Sequence, residues 1–127
     1  MPKPIEVVTA FIAELGKSPE ALRAAFRTWF TPATVWENVG FSITTGIDEA
    51  IAWIDRFSEG GFATMPVDML AIIAVGNKVL TERVDHLVNA DGTERAIRLM
   101  GIFEVEDGHI TAWRDYFDTV ALGANGG

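Results

Sequence analysis

The sequence predicts an α+β domain in which helices come first and a long curved antiparallel sheet follows, with the helices packed across its concave face as in a cone closed at one end. Three observations carry this. Up to about Phe57 the apolar residues recur at helical spacing. From Met65 onward the chain reads as extended runs in which side chains alternate between two faces. These runs are joined by Gly76-Asn77-Lys78, Ala90-Asp91-Gly92 and Glu106-Asp107-Gly108, links so short and rich in turn formers that they can only join antiparallel neighbours. Helices followed by a meander are an α+β layout.

The chain has 127 residues, 49% of them hydrophobic, which suits a single domain over 1–127 with one sizeable core. No basic-then-apolar leader and no bilayer-length apolar run is present, so a cytoplasmic protein is expected. With no cysteine, disulfides, thiolate chemistry and cysteine-based zinc sites are excluded. A net charge of -8 argues against nucleic acid and anionic membranes as partners.

In chain order, Ile5, Val8, Phe11, Ile12 and Leu15 mark one face of a helix over Pro4 to Leu15, ended by Gly16. Ser18-Pro19-Glu20 opens a second helix, with serine as N-cap, proline at the first helical position and an acid in the first turn. Its apolar set is Leu22, Ala25, Phe26, Trp29 and Phe30, and Thr31-Pro32 stops it. Thr34 to Asn38 reads as a short strand with Thr34, Trp36 and Asn38 on one face, and Phe41 to Thr45 as its return. A third helix follows Gly46, with Ile47, Ile51, Ile54 and Phe57 inward, closed by Gly60-Gly61. Ser58 to Thr64 is a flexible loop that could gate a cavity or be an ordinary turn. The four long strands are Pro66 to Val75, Val79 to Asn89, Glu94 to Val105 and His109 to Thr119. Ala124 to Gly127 reads as a frayed end.

The chemistry concentrates on the sheet. In the last strand Trp113, Asp115 and Phe117 share a face, so a carboxylate stands between two large aromatics. Either that face is buried, and Asp115 is a charge that must be paired, protonated or used, or it is open to solvent. On Val79 to Asn89, Thr81, Arg83, Asp85 and Leu87 share a face, and the next strand offers Ile97, Leu99, Gly101, Phe103 and Val105. If these faces converge, one arginine holds two carboxylates in a dry cavity, and one carboxylate is driven towards its protonated state. That division supplies a base and an acid together. Taken alone, an Arg–Asp pair on a strand is more often structural. His86 points to the opposite face, towards an interface or the surface, and His109 is read as solvated. Two histidines this far apart give no reason to expect a metal. Trp29 and Trp53 fall on helical apolar patterns and read as core.

Arg83-x-Asp85, Trp113-x-Asp115-x-Phe117 and Trp36-x-Asn38 together resemble the limonene-1,2-epoxide hydrolase family, in order and spacing over nearly the whole chain. The resemblance implies a curved mixed sheet of the cone-shaped kind shared with nuclear transport factor 2, ketosteroid isomerase and the SnoaL-like proteins (a cystatin-like layout). It implies a homodimer through the sheet, and cofactor-free, one-step hydrolysis of a small apolar epoxide by water. By the same resemblance Asp115 is the general base, Asp85 the general acid, and Arg83 the bridge that sets their protonation. Asn38 accepts a hydrogen bond from the attacking water, and Trp36 replaces the family's usual tyrosine as a donor to it. Trp113, Phe117, Leu99, Ile97, Leu87 and Met69 shape the pocket. The N-terminus is shorter than in some members, so part of a lid is expected to be missing. Two other readings stay open, an isomerase or polyketide cyclase on this fold and a non-catalytic ligand-binding module.

Overall fold

The computed structural model describes residues 2–120. Helices α1 (Pro4–Glu14) and α2 (Pro19–Trp29) lead into strands β1 (Phe30–Asn38) and β2 (Ser42–Thr45), then helix α3 (Gly46–Glu59). Strands β3 (Phe62–Thr64), β4 (Val67–Val75), β5 (Lys78–Asn89), β6 (Glu94–Glu106) and β7 (His109–Tyr116) complete the chain. No helix among the described residues is long and apolar enough to cross a membrane.

The local signals act where they stand in the sequence. The Ser18 hydroxyl accepts from the Ala21 N–H at 3.0 Å, and Pro19 occupies the first turn of α2. Asp107 is the single described non-glycine residue with positive φ (51°), followed by Gly108 at 76°. Two such residues in a row form the tight turn whose twist matches antiparallel strands, and here they join β6 to β7.

The sheet is mixed and strongly curled, in the order β2-β1-β7-β6-β5-β3, with β4 also paired to β5. The meander β4 to β7 is antiparallel throughout. Strand β1 lies parallel to β7, with Trp36 opposite Trp113 and Asn38 opposite Asp115.

Three boundaries depart from expectation. Strand β1 starts directly at Phe30, whose backbone is already extended (φ -81°, ψ 162°). Its pairing to β7 is irregular between Phe30 and Val35, a stretch where Pro32 can donate no ladder bond. There the Thr34 hydroxyl donates to the Ile110 carbonyl instead, at 2.5 Å. The expected loop from Ser58 to Thr64 contains β3, three residues long, too short for an alternation to show. Strand β7 ends at Tyr116, so Phe117 lies just past it. The segment Ala124 to Gly127 lies outside the described residues.

The core sits between α1, α2 and the concave face. Phe11 is its centre, with ring centroids 5.3–6.4 Å from Phe26, Trp29, Phe30, Phe103 and Trp113, most of them edge-on. Burying each such ring contributes about 1.5–3 kcal/mol, with a further ~0.5–1.5 for an edge-on pair. Helix α3 buries Ala50 and Ile54, while Ile47 and Ile51 pack on the core rim.

Candidate active site

Pleating and register bring the polar residues together. On β5, Thr81, Arg83 and Asp85 all face the concave side. Across β6 their partners are Gly101, Leu99 and Ile97, and Gly101 is in turn opposite Asp115 on β7. Asp115 and Thr81 therefore flank Gly101, and the Arg83 guanidinium reaches Asp115 over the space a side chain would fill. A Cβ at Gly101 would collide with Asp115 Oδ1 and come within 2.7 Å of Arg83 Nη1. Arg83 is 1% exposed and Asp85 and Asp115 are each 3% exposed, so the converging faces are buried.

Every N–H of the guanidinium is used. Nε and Nη2 donate to the two oxygens of Asp85, at 3.1 and 2.9 Å. Nη1 and Nη2 donate to the two oxygens of Asp115, at 3.1 and 2.8 Å. Nη1 also donates to the Thr81 hydroxyl at 3.0 Å, and that hydroxyl donates to the Gly101 carbonyl. Trp113 adds an indole N–H to Asp115 Oδ1 at 2.8 Å. Arg83 further lies 5.7 and 5.8 Å from the ring centroids of Phe103 and Trp113.

One cation faces two carboxylates, so the buried cluster carries a net negative charge unless it holds a proton. Burial pushes the Asp115 pKa above the ordinary carboxylate range; Arg83 opposes the rise and the charge of Asp85 adds to it. Burial works to lower the Arg83 pKa, but Asp115 and Asp85 outweigh it and hold the guanidinium firmly charged. Removing the arginine would leave two unpaired buried acids, a loss of about 3–5 kcal/mol.

The two carboxylates open on a cavity of about 660 Å3, its mouth included. Trp36, Asn38, Leu87, Ile97, Leu99, Trp113 and Phe117 line it. Met69 does not; it packs against the core, and the methionine on the cavity wall is Met65. Asn38 reaches the site because β1 runs parallel to β7, and its amide N–H donates to the Ser42 hydroxyl at 3.0 Å. Trp36 also lines the cavity, and its indole N–H is buried. Its ring stacks on Trp113, centroids 5.0 Å apart and planes within 8°.

Trp53, read as core, lines the cavity with Phe41, Phe57 and Phe62. With Phe117 these rings form a continuous arc, neighbouring centroids 4.8–6.5 Å apart. Helical periodicity marks Trp53 as inward-facing but cannot say whether "inward" means core or cavity. Phe62 lies on the short strand that carries no period of its own.

Residues 2–124 match the family model of the limonene-1,2-epoxide hydrolase catalytic domain. The chain is 44% identical over 85 residues to the epoxide hydrolase EphG of Mycobacterium tuberculosis, an alignment covering 66% of this chain and 54% of that one. The chain thus spans about half the length of this curated relative. A solved limonene-epoxide-hydrolase-like epoxide hydrolase from M. tuberculosis superimposes with a TM-score of 0.78 at 33% identity, covering 95% of this chain and 86% of that one. A SnoaL-like polyketide cyclase structure from Jannaschia shares the fold, with a TM-score of 0.76 at 20% identity over 95% and 89% of the two chains. The chain belongs to the limonene-1,2-epoxide hydrolase family.

Proposed function

We propose that this chain adds water to a small apolar epoxide and releases a vicinal diol in one step, without a cofactor or a covalent intermediate. The observation that carries the reading is a pair of buried carboxylates gripped by one arginine at the polar end of an apolar cavity. Asp115 takes a proton from water as the oxygen attacks one epoxide carbon. The C–O bond of that carbon breaks, and Asp85 gives its proton to the departing oxygen, so the product is neutral diol. The proton gained by Asp115 and lost by Asp85 balance, and exchange between them or with solvent resets the site. A raised Asp115 pKa suits this role, because it makes a stronger base than a solvated aspartate. Asn38, opposite Asp115, aligns the water, and a bound near-attack geometry of this kind supplies much of the rate.

The arc of Phe41, Trp53, Phe57, Phe62 and Phe117 supports an apolar, ring-bearing substrate. An isomerase would use one aspartate base and one buried acid, but has no use for an arginine joining two carboxylates. We propose further that two copies associate through the convex face of the sheet, where Ile73, Leu80, Met100 and Tyr116 are exposed.

The test follows diol formation from limonene oxide, cyclohexene oxide and styrene oxide by wild type, Asp85→Asn and Asp115→Asn across pH. Wild type should give diol, and each variant should lose at least about a thousandfold, keeping its fold because Arg83 retains one carboxylate. Activity should fall on the acid side as Asp115, its pKa raised by burial, takes up a proton. No diol from folded wild type, or an active Asp115→Asn, would overturn the reading.

A further inference from the structure

Trp113 does more in this geometry than line the cavity. Asp115 Oδ1 accepts two hydrogen bonds, from Trp113 Nε1 at 2.8 Å and Arg83 Nη1 at 3.1 Å. Oδ2 accepts one, from Arg83 Nη2 at 2.8 Å. A carboxylate oxygen has two lone pairs, so Oδ1 is filled and Oδ2 keeps one free. The indole is held in place from both sides. Trp36, opposite it on β1, stacks at 5.0 Å and 8°, and Phe103, opposite it on β6, stacks at 5.0 Å and 19°. Phe11 of α1 closes the edge, its ring standing at 85° to the indole.

We propose that Trp113 is the positioning residue of Asp115: its clamped indole N–H saturates Oδ1 and so makes Oδ2 the oxygen that receives the water's proton. Trp36 and Phe103 act one step back, as the jaws that keep the indole aimed. Trp36 takes part through its face, which lies against the Trp113 indole. The charged groups facing Asp115 are Arg83 and Asp85, both from β5, while β6 presents Gly101 and β1 presents Asn38 at the paired positions. The indole is thus the neutral donor that fixes which oxygen of the carboxylate is free. This rests on Asp115 being the base of the proposed hydrolysis, but the placement of the hydrogen bond does not.

The experiment compares wild type with Trp113→Phe, which keeps an aromatic ring between Trp36 and Phe103 and removes the N–H together with the second ring of the indole. The carboxyl of Asp115 is titrated by carbon-13 NMR, and diol formation is followed against pH. In the variant the Asp115 titration and the acid limb of kcat/KM should both move up by about one pH unit, the size of one hydrogen bond to a charged group. Turnover should fall about tenfold with KM little changed. In wild type, the Trp113 indole proton should resonate far downfield and follow the Asp115 titration, a readout that needs no variant to fold. An indole proton insensitive to pH, or an Asp115 titration unmoved in Trp113→Phe, would overturn the proposal. A moved titration in a protein that forms no diol would uphold the positioning and sink the hydrolase reading.

Discussion

Gly101 shows how much rides on a missing side chain. Its pattern position on β6 placed it on the inward face between Leu99 and Phe103, where an apolar side chain would be expected. The guanidinium and Asp115 instead occupy that volume from the neighbouring strands. Gly101→Ala should therefore lower stability by about 1–3 kcal/mol in urea denaturation, as overpacking does. It should cut diol formation much more steeply than a substitution at the outward-facing Ile102, because the collision falls on the charged cluster itself. Equal effects at the two positions would mean that the cluster tolerates displacement. Asp115 carries a similar lesson. Its place between Trp113 and Phe117 was legible, but a buried and a solvated carboxylate look alike in sequence. Its burial depends on what closes over that face, with Trp53, Ile54 and Phe57 of α3 across the same cavity, which no local pattern states.

At the scale of elements, local chemistry was read well wherever it acts within a few residues. The Ser18 cap, Pro19 in the first turn and the Asp107-Gly108 turn each lie where their physics requires. Boundaries failed where a distant partner decides. The first strand starts early because Thr34 bonds to Ile110 on β7, and β3 exists because β5 offers it an edge. His86 shows an element-scale bond of this kind on the convex face. Its Nδ1 meets Glu94 Oε2 of β6 at 2.6 Å and its Nε2 meets Asp68 Oδ2 of β4 at 2.9 Å, so one ring spans three strands. Hydrogen bonds to Asp68 and then Glu94 raise the His86 pKa above its ordinary value. A base whose folded pKa is raised stabilises the fold fully below its unfolded pKa, about 6.5, and loses that contribution as pH rises through the folded value. The urea midpoint should accordingly decline across that window. His86→Gln should flatten the decline, and an identical slope in the variant would show that the bridge adds no stability.

At the scale of the whole molecule, the convex face carries a group of exposed apolar side chains. Met100 is 60% exposed and Tyr116 51%, and the two are paired across β6 and β7, next to Leu80 and Ile73. This patch is the face through which the proposed association with a second copy would run. Met100→Glu places a charge at the centre of the patch without touching the concave side. Sedimentation should show a dimer for wild type and monomer for the variant, with both chains folded; a monomeric wild type would rule out the dimer.

The fold class, the helix starts and turns, the residues that share each strand face and the polar residues worth watching are all legible in the chain alone. These follow from periods of 3.6 and 2 and from turn chemistry, all of which act over short stretches of chain. It took the folded chain to set β1 parallel to β7, which carries Trp36 onto Trp113 and Asn38 opposite Asp115. Only it decided that Trp53 faces a cavity, that Met65 rather than Met69 lines it, and that the indole reaching a carboxylate belongs to Trp113. Pairing between strands nearly eighty residues apart leaves no local mark, because its energy comes from side chains that meet only after the chain has closed on itself.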